Sequence, residues 1–124
     1  MNDPISTKLI PPIFVWEPRD LVVFPTIDDA CRYVEPEDVG RVVGFDSAGT
    51  KFHFGPAAIP VTAFGKKLGT RRGVSVDWAQ VSPSREAELK EVLQIALTEV
   101  GRTFNSEASL QDLIGTANEV FKFR

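Results

Sequence analysis

Arg41–Phe54, RVVGFDSAGTKFHF, decides the fold class of this chain. Two runs rich in β-branched and aromatic residues, Arg41–Asp46 and Thr50–Phe54, flank Ser47-Ala48-Gly49, where glycine can take the left-handed conformation that closes a short hairpin. On the second arm Phe52 and Phe54 point one way while Lys51 and His53 point the other, the alternation of a half-buried strand. Towards the N-terminus, Ile13–Trp16 and Leu21–Phe24 read as two further short strands bounded by Pro18 and Pro25, with Glu17-Pro18-Arg19-Asp20 as the turn between them. Thr26-Ile27-Asp28-Asp29 then resembles a capping box with Asp29 at its fourth position. The helix it opens should run to about Val34, with Ile27, Ala30, Cys31 and Val34 on one face, and Pro36 ends it.

Towards the C-terminus, Ala58–Phe64 and Val74–Val81 supply two more strand candidates, the first suited to an edge because of Pro60. Between them Gly65–Gly73, GKKLGTRRG, reads as a flexible basic loop. From Ser82-Pro83 the period changes. Ser82 suits an N-cap with proline at the first helical position, and Leu89, Val92, Leu93, Ala96, Leu97 and Val100 follow the helical spacing until Gly101 stops it. A second stripe, Leu110, Leu113, Ile114, Ala117 and Phe121, completes a helical hairpin. The expected architecture is α+β, a mostly antiparallel sheet of four to six strands with a short N-terminal helix and a C-terminal amphipathic helical hairpin.

Composition sets the remaining bounds. At 124 residues, with 43% hydrophobic and 25% charged content, the chain fits one globular domain spanning residues 1–124. One cysteine, Cys31, excludes an internal disulfide framework and favours a cytoplasmic home. The N-terminal stretch lacks the layout of a secretory signal, and no run approaches the roughly 20 apolar residues needed to span a bilayer. The net charge of −3 hides an asymmetry: residues 1–50 carry 9 acids against 4 Lys/Arg, residues 51–83 carry 1 against 5, and residues 84–124 carry 7 against 5. Such a bias can create one acidic and one basic face.

Catalytic groups are sparse. The only histidine, His53, falls on a strand and the only cysteine on an apolar helix face, so neither suggests a nucleophile–base pair. No CxxC, HxxxH or HExxH spacing offers zinc a site, and the acids do not match the alternating EF-hand loop. Neither a cofactor nor a metal is expected. The glycines and cations of Gly65–Gly73 fail the P-loop order and read as a solvated tip. Nucleic acid is an improbable partner because the chain as a whole is acidic. Trp78 reads as a core indole. What remains is the stretch Trp16–Asp38, where an aromatic at a strand end adjoins a run of acids. Trp16, Glu17, Asp20, Asp28, Asp29, Glu35, Glu37 and Asp38 are the candidate partner-binding residues, the acids steering a basic protein and Trp16 anchoring it.

The segments Phe14-Val15-Trp16-Glu17-Pro18-Arg19-Asp20-Leu21, Thr26-Ile27-Asp28-Asp29-Ala30, Glu35-Pro36-Glu37-Asp38-Val39 and Gly44-Phe45-Asp46-Ser47-Ala48-Gly49 resemble those of small bacterial proteins of the toxin-immunity type. The resemblance covers about the first 55 residues, by count along the chain. It implies a non-catalytic cytoplasmic inhibitor that occupies the active site of a cognate toxin or an adjacent surface, without assigning a role to any single residue. Two other readings compete with it: a small enzyme or ligand-binding domain with a pocket between sheet and helices, and a homo-oligomeric structural subunit.

Overall fold

The computed structural model describes residues 9–17 and 20–123. The expected turn at Pro18 and Arg19 lies outside the described residues. The elements run β1 (Ile13–Glu17), β2 (Asp20–Phe24), α1 (Ile27–Tyr33), a short 3-10 turn (Pro36–Asp38), β3 (Val43–Phe45), β4 (Lys51–Ala63), β5 (Lys66–Ser82), α2 (Glu86–Glu99) and α3 (Leu110–Phe121). The five strands form one antiparallel sheet in the order β2-β1-β3-β4-β5. The fold is therefore α+β with a C-terminal helical pair.

Strand alternation divides the core into two layers. Phe14, Leu21, Val23 and Phe45 point to the face covered by α2 and α3, where they meet Leu89, Leu93, Leu97 and Leu113. Ile13, Val15, Phe24, Phe52 and Phe54 point to the other face, where Ala30 and Val34 of α1 pack against them. Ile27 and Cys31 complete the apolar face of α1. Thr26 caps this helix by accepting the Asp29 N–H at 3.1 Å, as its position ahead of the stripe predicts.

Gly49 takes φ +88° in the turn between β3 and β4, and its carbonyl accepts the Arg85 N–H at 2.8 Å. The start of α2 is thereby seated on that turn. Buried Asp46 organises the same place: Oδ1 accepts from the N–H groups of Ala48 and Thr50, and Oδ2 from that of Ile10, each at 2.9 Å. Ser47 Oγ donates to the carbonyls of Ile10 and Pro11, so the incoming chain is fastened across the sheet's end.

The structure corrects three sequence expectations. First, the two strands expected at Thr50–Phe54 and Ala58–Phe64 are one strand, β4 (Lys51–Ala63), which runs through Gly55-Pro56-Ala57. Proline has no N–H, so it fits a ladder where its nitrogen points away from the partner. Pro56 and Pro60 are four residues apart and share that outward side. Second, the basic stretch is a strand. Lys66–Gly73 pairs with Ala57–Ala63, and the connection shrinks to Phe64-Gly65, whose φ values of 53° and 75° make the two-residue turn favoured by twisted hairpins. Long-range pairing, which composition does not reveal, overrode the glycines. Third, α2 starts at Glu86 with Arg85 as its N-cap residue, and no side chain caps it. Ser82 is already held in the sheet opposite Lys51, so it cannot cap a helix.

The helical pair otherwise follows its stripes. Leu89, Val92, Leu93, Ala96 and Leu97 are buried on α2, while Val100 lies past the last turn and is exposed. The N–H groups of Gly101 and Arg102 close onto the carbonyls of Thr98 and Leu97, the paired bonds of a Schellman end. Ser109 caps α3 by accepting the Asp112 N–H. Among the described residues no helix is long and apolar enough to cross a membrane.

Candidate functional site

The structure separates the aromatic anchor from the acids. Trp16 is half-buried and packs against the layer formed with α2 and α3, whereas α1 and its carboxylates lie on the opposite face. The cause is strand alternation: Glu17 follows Trp16 and turns to the other side. Glu17 and Asp20 stand directly opposite each other at the end of β1 and β2, and Arg41 bridges Glu17 (3.5 Å) and Asp38 (2.7 Å). Asp29 pairs with Arg32 at 2.7 Å and Glu37 faces Arg72 at 3.8 Å. Asp20, Asp28 and Glu35 have no ion-pair partner among the described residues. The acidic segment thus becomes a mixed-charge face, because Arg32 within it pairs along α1 and folding adds Arg41 and Arg72 among its carboxylates. The Arg32 hydrogen bond and then the Thr26 hydroxyl hold the Asp29 carboxyl below the usual range.

Two clefts flank α1. One, of about 510 Å³, is lined by Phe24, Tyr33, Phe123, Asp29 and Arg32. Its three rings pack against one another in tilted and edge-on pairs with centroids 5.1–5.4 Å apart, which closes the cluster rather than leaving an aromatic cage. The other, of about 470 Å³, runs between α1 and β5. Cys31, Val34, Ile59 and Val74 supply its apolar surface, with Asp28 and Glu35 on the helix side and Arg71 and Arg72 on the strand side.

Cys31 borders this second cleft but is not poised for nucleophilic chemistry. Burial, with a further push from the charge of Asp28, raises its thiol to about 11. Thiolate is the reactive form. Alkylation by iodoacetamide at pH 8 should therefore run at least about tenfold slower than that of an unfolded-state cysteine, and should accelerate as pH rises towards 11. A rate at pH 8 equal to that of the denatured chain would contradict this placement. The sign for stability follows as well: the native state keeps its proton longer than the unfolded chain, so this group lowers stability as pH rises from 9 towards 11.

The feature that sequence reading missed is the β4–β5 ribbon. β3 pairs only with Lys51, Phe52 and His53 of β4, so beyond His53 the two long strands continue with each other alone to the Phe64-Gly65 turn. The prolines define its free edges. With Pro56 and Pro60 facing outward on β4, the pairs Pro56–Val74, Ala58–Arg72 and Pro60–Thr70 are those without mutual hydrogen bonds. The N–H and C=O groups of Thr70, Arg72 and Val74 consequently face the outer edge of β5. Among the described residues, the Arg72 carbonyl takes a bond from the Arg71 guanidinium at 3.2 Å, and nothing else caps these groups. Phe64 is fully exposed at the tip and Leu68 is 64% exposed.

At the other end of the ribbon, β4 advances one residue from Phe52 to His53 while β5 advances from Val81 to Asp77. Trp78, Ala79 and Gln80 are extruded as a bulge, and the Asp77 carboxylate holds it by accepting from the Ala79 N–H (3.1 Å) and Gln80 Nε2 (2.7 Å). Trp78, expected in the core, is 42% exposed for this reason. Among the described residues no group of three or more His, Cys, Asp or Glu side chains could hold a metal ion.

No protein-family model matches this chain, and comparison with characterised proteins and with solved structures returns no match.

Proposed function

We propose that this protein is a non-catalytic protein-binding module and that the β4–β5 ribbon is its principal binding element. The observation that carries this reading is the ribbon itself: it extends beyond the three-strand pairing with Phe64 and Leu68 exposed near its tip. Exposed aromatic and aliphatic groups on a protruding element are costly in water and are the usual anchors of an interface. Phe64→Ser combined with Leu68→Ser should abolish stoichiometric capture of a protein from the native extract while leaving the circular dichroism spectrum unchanged. Capture that is insensitive to both substitutions would overturn the assignment.

A second, narrower reading is an immunity-type inhibitor of a basic toxin, with Glu17, Asp20, Asp28, Asp29, Glu35, Glu37 and Asp38 steering the encounter. Asp20, Asp28 and Glu35 support it, since among the described residues none of them forms an ion pair. A toxin encoded beside this chain would be the partner to test. Asp28→Lys with Glu35→Lys should slow its association and flatten the salt dependence, and unchanged kinetics would exclude this face.

A further inference from the structure

We propose that the outer edge of β5, over Lys66–Val76, receives an extended acidic segment of another protein by strand addition, the segment lying along β5 beside the cleft to α1. This rests on the protein-binding reading and names the kind of partner that one edge of the ribbon selects.

Four observations converge on that edge. The outward main-chain groups of Thr70, Arg72 and Val74 form a row of donors and acceptors with the spacing of a β ladder, and an added strand satisfies them. The opposite edge of the ribbon cannot serve, because two of its three outward positions, Pro56 and Pro60, have no N–H. The sheet's other edge, β2, is partly occupied: Val23 bridges to Lys122 and its carbonyl accepts the Phe123 N–H at 2.9 Å. Beside β5, the cleft to α1 offers room for a chain, with Val34, Ile59 and Val74 to contact alternate side chains.

Charge selects the occupant. Residues 47–76 contain Lys51, Lys66, Lys67, Arg71 and Arg72 and no acid. Arg72 meets Glu37 only at 3.8 Å, and Lys66, Lys67 and Arg71 have no carboxylate partner among the described residues. A strand laid along β5 from Lys66 to Val76 places its side chains beside these cations, where acids are favoured and like charges are penalised, while Asp28 and Glu35 on the α1 wall of the cleft restrict the segment's acids to the side chains that face β5. A second copy of this chain is disfavoured by the same rule. Antiparallel self-pairing centred on Gly69 would set Lys67 against Arg71 and Lys66 against Arg72.

The test uses a fluorescently labelled, acetylated nine-residue peptide alternating Glu with Thr and Val, titrated into the full-length protein. Binding is expected, with slowed hydrogen exchange at the amides of Thr70, Arg72 and Val74. Replacing Glu by Lys in the peptide, or N-methylating the residues on one side of its backbone, should weaken binding about tenfold or more. Arg72→Pro should bind about tenfold more weakly than Arg72→Ala, since both lose the guanidinium and only the proline loses the outward donor. Thr70→Pro provides the same comparison if Arg72→Pro does not fold. Failure of the acidic peptide to bind, indifference to N-methylation and to both prolines, or tighter binding of duplex DNA at the same amides would each overturn the proposal. A protein captured from the extract by wild type and equally by Arg72→Pro would leave the module reading standing and remove strand addition alone.

Discussion

Asp46→Ala is expected to lower the unfolding free energy by about 3 kcal/mol, read as a lower urea midpoint at unchanged slope. The carboxylate is fully buried and accepts three main-chain N–H groups, from Ile10, Ala48 and Thr50. Alanine leaves all three without their acceptor, and each donor that water does not reach retains its desolvation cost. The damage should spread beyond the turn. Gly49, the residue between Ala48 and Thr50, accepts the Arg85 N–H, so α2 loses the platform on which it starts. Asp46→Asn tests the same geometry more finely. Its carbonyl oxygen can keep the Ala48 and Thr50 bonds, while its NH₂ is turned against the Ile10 N–H. Its loss should therefore be roughly half that of alanine. An alanine variant within about 1 kcal/mol of wild type would show that water replaces the carboxylate.

Gly44→Ala is expected to cost about 2–3 kcal/mol, although it adds only one methyl group. Gly44 lies directly across from Phe52, and a Cβ at this position would run into the Phe52 ring. Phe52 is itself fully buried and packs edge-on against Phe54 with centroids 5.3 Å apart, so the ring has little space into which to retreat. Phe52→Leu should relieve the clash. In a double-mutant cycle the two substitutions are expected to couple by about 1 kcal/mol or more, the pair being less damaging than the sum. Additive effects would mean that the backbone of β3 moves instead of the ring.

Much of this fold was legible because it rests on local patterns. The period of two in Lys51–Phe54, the capping geometry of Thr26 and Asp29, and the helical stripes ending at Phe121 each follow from neighbours a few residues apart. The failures have a common character. Gly65–Gly73 looks like a loop by composition, yet Ala57–Ala63 provides it with a partner strand. Ser82 looks like a cap until Lys51 claims it for the ladder. Trp78 looks like core until a register shift extrudes it. In every case the outcome turned on strand pairing, which the composition of the segment itself does not reveal.

The candidate site shows the same division. The acids of Trp16–Asp38 and the cations of Lys66–Arg72 could be counted directly, and their segregation along the chain was correct. Their meaning was not available from counting. Arg41 reaches back to Glu17, and Arg72 meets Glu37 across the cleft, so part of the charge that looked free is compensated within the fold. Trp16, adjacent to Glu17 in the chain, faces away from it.

By itself the sequence determined the α+β class, the amphipathic faces of the helices, the central hairpin and the segregation of charge, because side-chain period and capping are short-range properties. Only the tertiary structure decided which charges remain unpaired, which edge of the ribbon is open and where Phe64, Leu68 and Trp78 are presented. Those outcomes depend on strand register, and register is set by contacts between residues that the chain order keeps far apart.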